Sequence, residues 1–337
     1  MKVFQFYQLL AINRCILISF ITFSLCITAA NSYSSETTDK PIKIAVISDL
    51  NGSYGSTKYN KQIPEVISHI IDIKPDVIIS TGDMIAGQRL RPLLKRPQLE
   101  AMWTAFHSNV SDALNEAKLP FAITAGNHDG SLSKQFHLER KIYQEQWLKR
   151  VPDVHFIDRS NYPFYYAFEI KNILFISLDA TTVGHLSKKQ FTWLETMLKN
   201  SKDKYRHHIA FSHLPVWPFT QSRERDIIGD PGLESLLQQY NVNLYLSGHH
   251  HAFYPGYKDG ITHVSQACLG SGLRQYIGTS QRSRRGFTMI EIDKNNNVVI
   301  NGYDSSDLNT AIDIKRLPEK ITSQYATLIR IDLIDEK

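Results

Sequence analysis

Cysteine is scarce in this chain of 337 residues, and two of its three copies, Cys15 and Cys26, fall in the first thirty positions. If that segment is removed, Cys268 stands alone as a buried, inert thiol, and no internal disulfide can form. Acid is missing before Glu36. Lys2 and Arg14 instead precede an apolar stretch, Cys15 to Ala30, that ends in the small residues Thr28-Ala29-Ala30. This pattern predicts a secretory signal peptide over residues 1–30 and an exported, periplasmic or secreted protein. A retained amino-terminal anchor is the alternative, and membrane contact is expected only in that case. Leu25 before Cys26 is a poor lipoprotein signal. Residues 31–40 read as a polar, disordered leader.

Charge of one sign is lacking as well. The formal balance of +5 falls to about +3 without the two leading cations, too little to imply nucleic acid as a partner. There is no internal repeat and no low-complexity tract. With 42 % hydrophobic and 21 % charged residues, the composition is that of a soluble globular protein. One large domain is expected over residues 41–305, with a C-terminal extension over 306–337.

What the chain does have is five apolar, β-branched runs: Ile42 to Ile47, Val77 to Ser80, Phe121 to Thr124, His208 to Phe211 and Val242 to Leu246. They read as short buried strands. Each ends at a small island carrying a metal-binding side chain beside a turn-forming residue. The islands are Asp49-Leu50-Asn51, Gly82-Asp83, Gly126-Asn127-His128-Asp129, Ser212-His213 and Gly248-His249-His250-His251. Taken singly, each is better explained as turn chemistry or a structural histidine. Loops at the carboxyl ends of sheet strands gather functional groups, so five in series predict one site.

Helical spacing appears at Ile63, Val66, Ile67 and Ile70, and again from Leu99 to Leu114. Ser187 and Gln190 form a predicted capping box, and Asp230-Pro231 opens another helix. After Gly248, four strand-like runs joined by turns such as Asp259-Gly260 are expected to complete a second sheet.

The islands resemble the motif series of the calcineurin-like metallophosphoesterase superfamily, which includes purple acid phosphatases and cyclic-nucleotide phosphodiesterases. Gly-Asn-His-Asp and Gly-His-x-His, in that order, are its most specific parts. The resemblance implies an α/β fold, a four-layer αββα sandwich of two mixed β-sheets flanked by helices. It implies two divalent metal ions, one held by Asp49, Asp83 and His251 and the other by Asp83, Asn127, His213 and His249, with Asp83 between them. A metal-bridging hydroxide would attack a phosphomonoester or phosphodiester in line. His128 would stabilise charge or protonate the leaving oxygen, and Asp129 would orient it. His250 points the other way along an extended segment and is left out.

One departure stands in the first island, where most relatives carry Asp-x-His and this chain has Asn51. Asn51 ligates through its amide oxygen, or water replaces the imidazole, or the first metal binds weakly. An oxygen donor favours Mn²⁺ or Fe²⁺, with Zn²⁺ possible. Purple acid phosphatases also lack this histidine but place a tyrosinate three residues after the second-island Asp. Ala86 stands there, so no iron(III) centre is expected. Substrate contacts are read at Arg89, Tyr54 and Trp217, and the partner is a small phosphate ester. The alternative is a scaffold of the same fold that binds metal or protein without turnover.

Overall fold

The computed structural model describes residues 40–334, so the expected signal peptide and nearly all of the leader lie outside the described residues. The first sheet begins with β1 (Ile42–Ile47), β2 (Val77–Ser80) and β3 (Phe121–Ile123), all parallel. Their side chains are almost wholly buried, which is why they read as continuous apolar runs and not as alternation. Helix α1 (Gln62–Ile73) crosses from β1 to β2 and buries Ile63, Val66, Ile67 and Ile70. The next crossover carries α2 (Arg96–Phe106) and α3 (Asp112–Glu116), joined by a π-helical turn. A single turn, α4 (Asn127–Gly130), follows β3 and leads to α5 (His137–Trp147).

The second sheet opens with β4 (His155–Asn161), β5 (Tyr165–Ile170) and β6 (Ile173–Ser177). Then come α6 (Lys188–Ser201), β7 (His207–Ser212), α7 (Pro231–Gln239) and β8 (Val242–Ser247), with β6, β7 and β8 parallel. The hairpin β9 (Tyr254–Lys258) and β10 (Ile261–Ser265) turns at Asp259-Gly260, both at positive φ. Strands β11 (Gly286–Ile292) and β12 (Val298–Asp304) do not join it. They return to the first sheet, where β11 pairs antiparallel with β1. The expectation that all four late strands complete the second sheet is thus corrected, because the chain crosses between layers after Ser265.

Residues 306–334, read from sequence as an extension, are built into both layers. β13 (Asp307–Ala311) edges the first sheet, while β14 (Lys320–Thr322) and β15 (Thr327–Arg330) join the second beside β9. The orders are β13-β12-β11-β1-β2-β3 and β14-β15-β9-β10-β8-β7-β6-β5-β4. The buried side chains of both sheets and of α1, α2, α5, α6 and α7 form one continuous core. Each fully buried Leu, Ile or Phe there contributes roughly 1.5–3 kcal/mol.

At α6 the capping box is half made. Ser187 accepts from the Gln190 N–H, but the Gln190 amide instead brackets the backbone of Asp179, at 2.7 and 3.0 Å. Asp230 caps α7 by accepting from Gly232.

Candidate metal centre

The five islands meet where the carboxyl ends of the parallel strands in both sheets face each other. The first sheet supplies oxygen: Asp49 after β1, Asp83 after β2 and Asn127 after β3. The second supplies nitrogen: His213 after β7, and His249 and His251 after β8. Four of these residues, Asp49, Asp83, His249 and His251, take left-handed backbone conformations with φ between 49° and 62°. The strands end abruptly at them, and the side chains turn inward. One atom each from Asp49, Asp83 and His213 lie within 4.8 Å of one another.

Two of the three histidines are held by their outer nitrogen, and the third turns its outer nitrogen to a more distant carboxylate. His213 Nδ1 lies 2.8 Å from the carbonyl of Thr81, and His251 Nδ1 lies 2.8 Å from that of Gly272. His249 turns Nε2 toward the Asp226 carboxylate at 3.8 Å. Carbonyl and carboxylate oxygens only accept, so these nitrogens carry the hydrogen and the inner ones present lone pairs. The inner atoms crowd together. His213 Nε2 is 2.8 Å from Asn127 Oδ1, 3.2 Å from His249 Nδ1 and 3.4 Å from Asp83 Oδ1. His251 Nε2 is 3.1 Å from Asp49 Oδ1, a buried oxygen with no hydrogen-bond partner. Electron-pair donors this close repel unless a cation lies among them, so the residues fit metal ions.

The electrostatics agree. Burial opposes ionisation of Asp83, but the imidazoles of His213 and His128 outweigh it and hold the carboxylate below its usual range. Burial also favours a neutral His213, yet the carboxylates of Asp83 and Asp49 lift it to about 9, drawing a proton into the place a cation would take. Burial pushes His249 down to about 4, leaving its ring neutral at pH 7.

The glycines of the islands make these approaches possible. A Cβ on Gly126 would sit 2.1 Å from the Asp83 nitrogen, and one on Gly248 would sit 2.2 Å from Ser48 Oγ. Ser48 donates to Asp49 Oδ2 and itself accepts from Thr81. Asn127 is oriented by Gln88, whose Oε1 accepts its Nδ2–H at 2.8 Å. No sequence signal marked Gln88.

His128 is partly exposed. Its Nδ1 is 3.0 Å from the Gly87 carbonyl, its Nε2 is 3.8 Å from Asp83 Oδ2, and the Tyr54 ring lies 5.2 Å away. Asp129 does not orient it, which corrects the sequence reading. Consecutive residues of one helical turn diverge, and the Asp129 carboxylate accepts instead from the backbone of Asp83, Met84 and Gly126. Asp129 therefore shapes the loop that aims Asp83.

Asn51 lines the cleft, but its amide oxygen accepts from the Ser271 hydroxyl. Tyr54, 59 % exposed, lines the same cleft. Arg89 and Trp217 are not brought there. Arg89 donates to the Pro92 carbonyl of its own loop, and Trp217 is 4 % exposed with its indole N–H on Glu234. His250 is a buried staple, accepting from the Phe219 N–H at 3.0 Å. Asp179 pairs with Arg140, which also stacks over Phe164. Burial raises the Cys268 thiol to about 12. Sequence reasoning missed Arg223 and Asp226, which pair at 2.6 Å in the long loop between β7 and α7. The length of that loop was the available signal.

Residues 42–253, more than half the chain, match the family model of calcineurin-like phosphoesterases. The chain belongs to that family. It is 27 % identical over 218 residues to a probable purple acid phosphatase of Arabidopsis thaliana, covering 63 % of this chain and 46 % of that protein. The chain spans about half the length of the first curated relatives it matches. Among solved structures, a purple acid phosphatase from Lupinus luteus seeds shares the fold with a TM-score of 0.61 at 17 % identity, over 82 % of this chain and 53 % of that one. A dimetal phosphatase from Danio rerio does so with 0.53 at 15 % identity, over 79 % and 97 %. The αββα sandwich expected from sequence is the architecture present.

Proposed function

We propose that the protein is an exported phosphoester hydrolase that works with two divalent ions. Asp49, Asp83 and His251 would hold one ion, and Asp83, Asn127, His213 and His249 the other. The observation that carries this reading is the convergence of these donors from two sheets, with His213 and His251 fixed by their outer nitrogens. Two ions held there would supply Lewis-acid charge to phosphoryl oxygens and make water a stronger nucleophile. Donor chemistry favours Mn²⁺ or Fe²⁺ over Zn²⁺ where oxygen predominates. The buried Ala86, at the tyrosinate position of the purple enzymes, speaks against iron(III).

The chain's own residues do the rest. The Gly87 carbonyl holds His128 so that Nε2 faces the cleft, where the ring stabilises the phosphate or protonates the leaving oxygen. Tyr54 packs beside it and walls the leaving-group side. The resemblance to phosphatases supports a small phosphate ester as substrate, and export rests on the pattern of residues 1–30.

Mature protein supplied with Mn²⁺ is expected to hydrolyse aryl phosphate monoesters or diesters. No turnover with two ions bound per chain would sink the enzyme reading and leave a metal-binding scaffold.

A further inference from the structure

Beside the metal centre runs a polar groove in two lobes of about 390 and 400 Å³. Asn51, Tyr54, His128 and Arg285 line the first lobe, and Gln221, Gln275 and Arg282 line the second. Arg223, His251, Gly272 and Arg274 belong to both, so these residues stand at the junction. No carboxylate lines either lobe.

The arginines are incompletely partnered. Arg223 gives one nitrogen to Asp226, and Arg285 donates Nη2 to the Ser271 carbonyl while its buried Nε has no partner. Arg274, half-buried, makes no side-chain hydrogen bond or ion pair among the described residues. Burial, and then the charge of Arg223, hold it below the ordinary arginine value. Two guanidinium groups side by side, one of them unpaired and partly desolvated, are poorly accommodated by the protein alone. A doubly charged oxyanion relieves both, because guanidinium presents a planar fork that phosphate oxygens match in pairs.

We infer that Arg274, with Arg223, forms a second anion subsite at the junction of the two lobes next to the metal centre, and that the preferred substrate carries a second phosphate group beyond the scissile one. This rests on the hydrolase reading above and narrows its substrate class. The scissile phosphate would lie in the first lobe under His128, and the second would reach past His251 to the arginines. In the second lobe an adenine-like or lipid leaving group meets mostly glutamines and arginines, with Leu273 the one aliphatic side chain of the lining.

Calorimetric titration of the Mn²⁺-loaded protein with propane-1,3-diphosphonate and with propylphosphonate tests this, with metal content checked after each titration. The diphosphonate is expected to bind at least ~30-fold tighter than the monophosphonate, the gain of one added charge-assisted anchor. Arg274→Gln should reduce that preference to less than about threefold. Arg274→Lys, which keeps the charge but loses the fork, should keep part of it. Equal affinity of the wild type for both ligands would overturn the inference. So would equal losses for both in Arg274→Gln, since Arg274 would then serve the scissile phosphate or the fold. The readout does not depend on turnover: a preference that persists in a protein without hydrolysis supports the subsite while removing the enzyme reading. Hydrolysis without any preference removes only the subsite.

Discussion

The amide of Asn127 is clamped from behind by Gln88: Nδ2 donates to Gln88 Oε1 at 2.8 Å, and Oδ1 is thereby left facing His213 Nε2. Without that acceptor the amide is free to turn over and present a donor to the cation. Gln88→Leu is expected to lower affinity for the second ion by roughly 10–100-fold. Metal titration of the purified variant measures this. An unchanged affinity would mean that Asn127 is oriented by its other contacts.

Gln88 is itself held by Glu139, whose Oε2 accepts the Gln88 N–H at 2.9 Å. Burial raises the Glu139 carboxyl to about 7, against an ordinary 4.5 in the unfolded chain. The folded state therefore binds an extra proton between these values. Stability from this group is full below about pH 4.5 and declines as pH rises to 7 and beyond. The loss is at most about 3 kcal/mol. Glu139→Gln keeps an acceptor for Gln88 without the charge, so its melting temperature should gain on the wild type as pH goes from 5 to 8. Parallel melting curves for the two proteins would remove Glu139 from the account.

His128→Ala is expected to leave metal content near two ions per chain while the rate falls by roughly 10²–10⁴. Elemental analysis beside a rate assay decides it. Metal lost along with the rate would move His128 into the coordination shell.

Ser271 occupies the Asn51 amide oxygen, so on the proposed two-ion reading the Asp49–His251 end is expected to be the weaker half. Asn51→His should raise affinity there and shift preference toward Zn²⁺, since an imidazole is a softer donor. Competition between Zn²⁺ and Mn²⁺ reads the shift. No change in either quantity would place position 51 outside the coordination shell.

Buried parallel strands were the most legible part of the sequence, because burial on both faces writes itself as an unbroken apolar run. β1, β2 and β10 fall at the expected residues. β4 escaped notice because it is a half-exposed, bulged edge with Asp158 and Arg159 in its middle. The sheet to which β11 belongs was not legible either, since an apolar strand fits any core and only the chain's crossing decides. At the site, the donor residues could be named because their chemistry is rare. Asp129 misled because proximity in sequence suggested contact with His128, whereas its partners are backbone amides that no pattern of side chains reports. Arg223, Arg274 and Arg285 stand far apart in the sequence, and only the fold places them around one cleft.

The split of donors between sheets has a mechanical meaning. Oxygens come from one layer and ring nitrogens from the other, so an ion bound there belongs to neither. It would act as a rivet through the sandwich, where the described residues hold one thiol, Cys268, and so no disulfide to do that job. Sliding of the layers would pull the coordination apart, and each bound ion raises the cost of that sliding. At a hundred times its dissociation constant, one ion adds about 2.7 kcal/mol to stability. Loading the centre would tighten the whole sandwich.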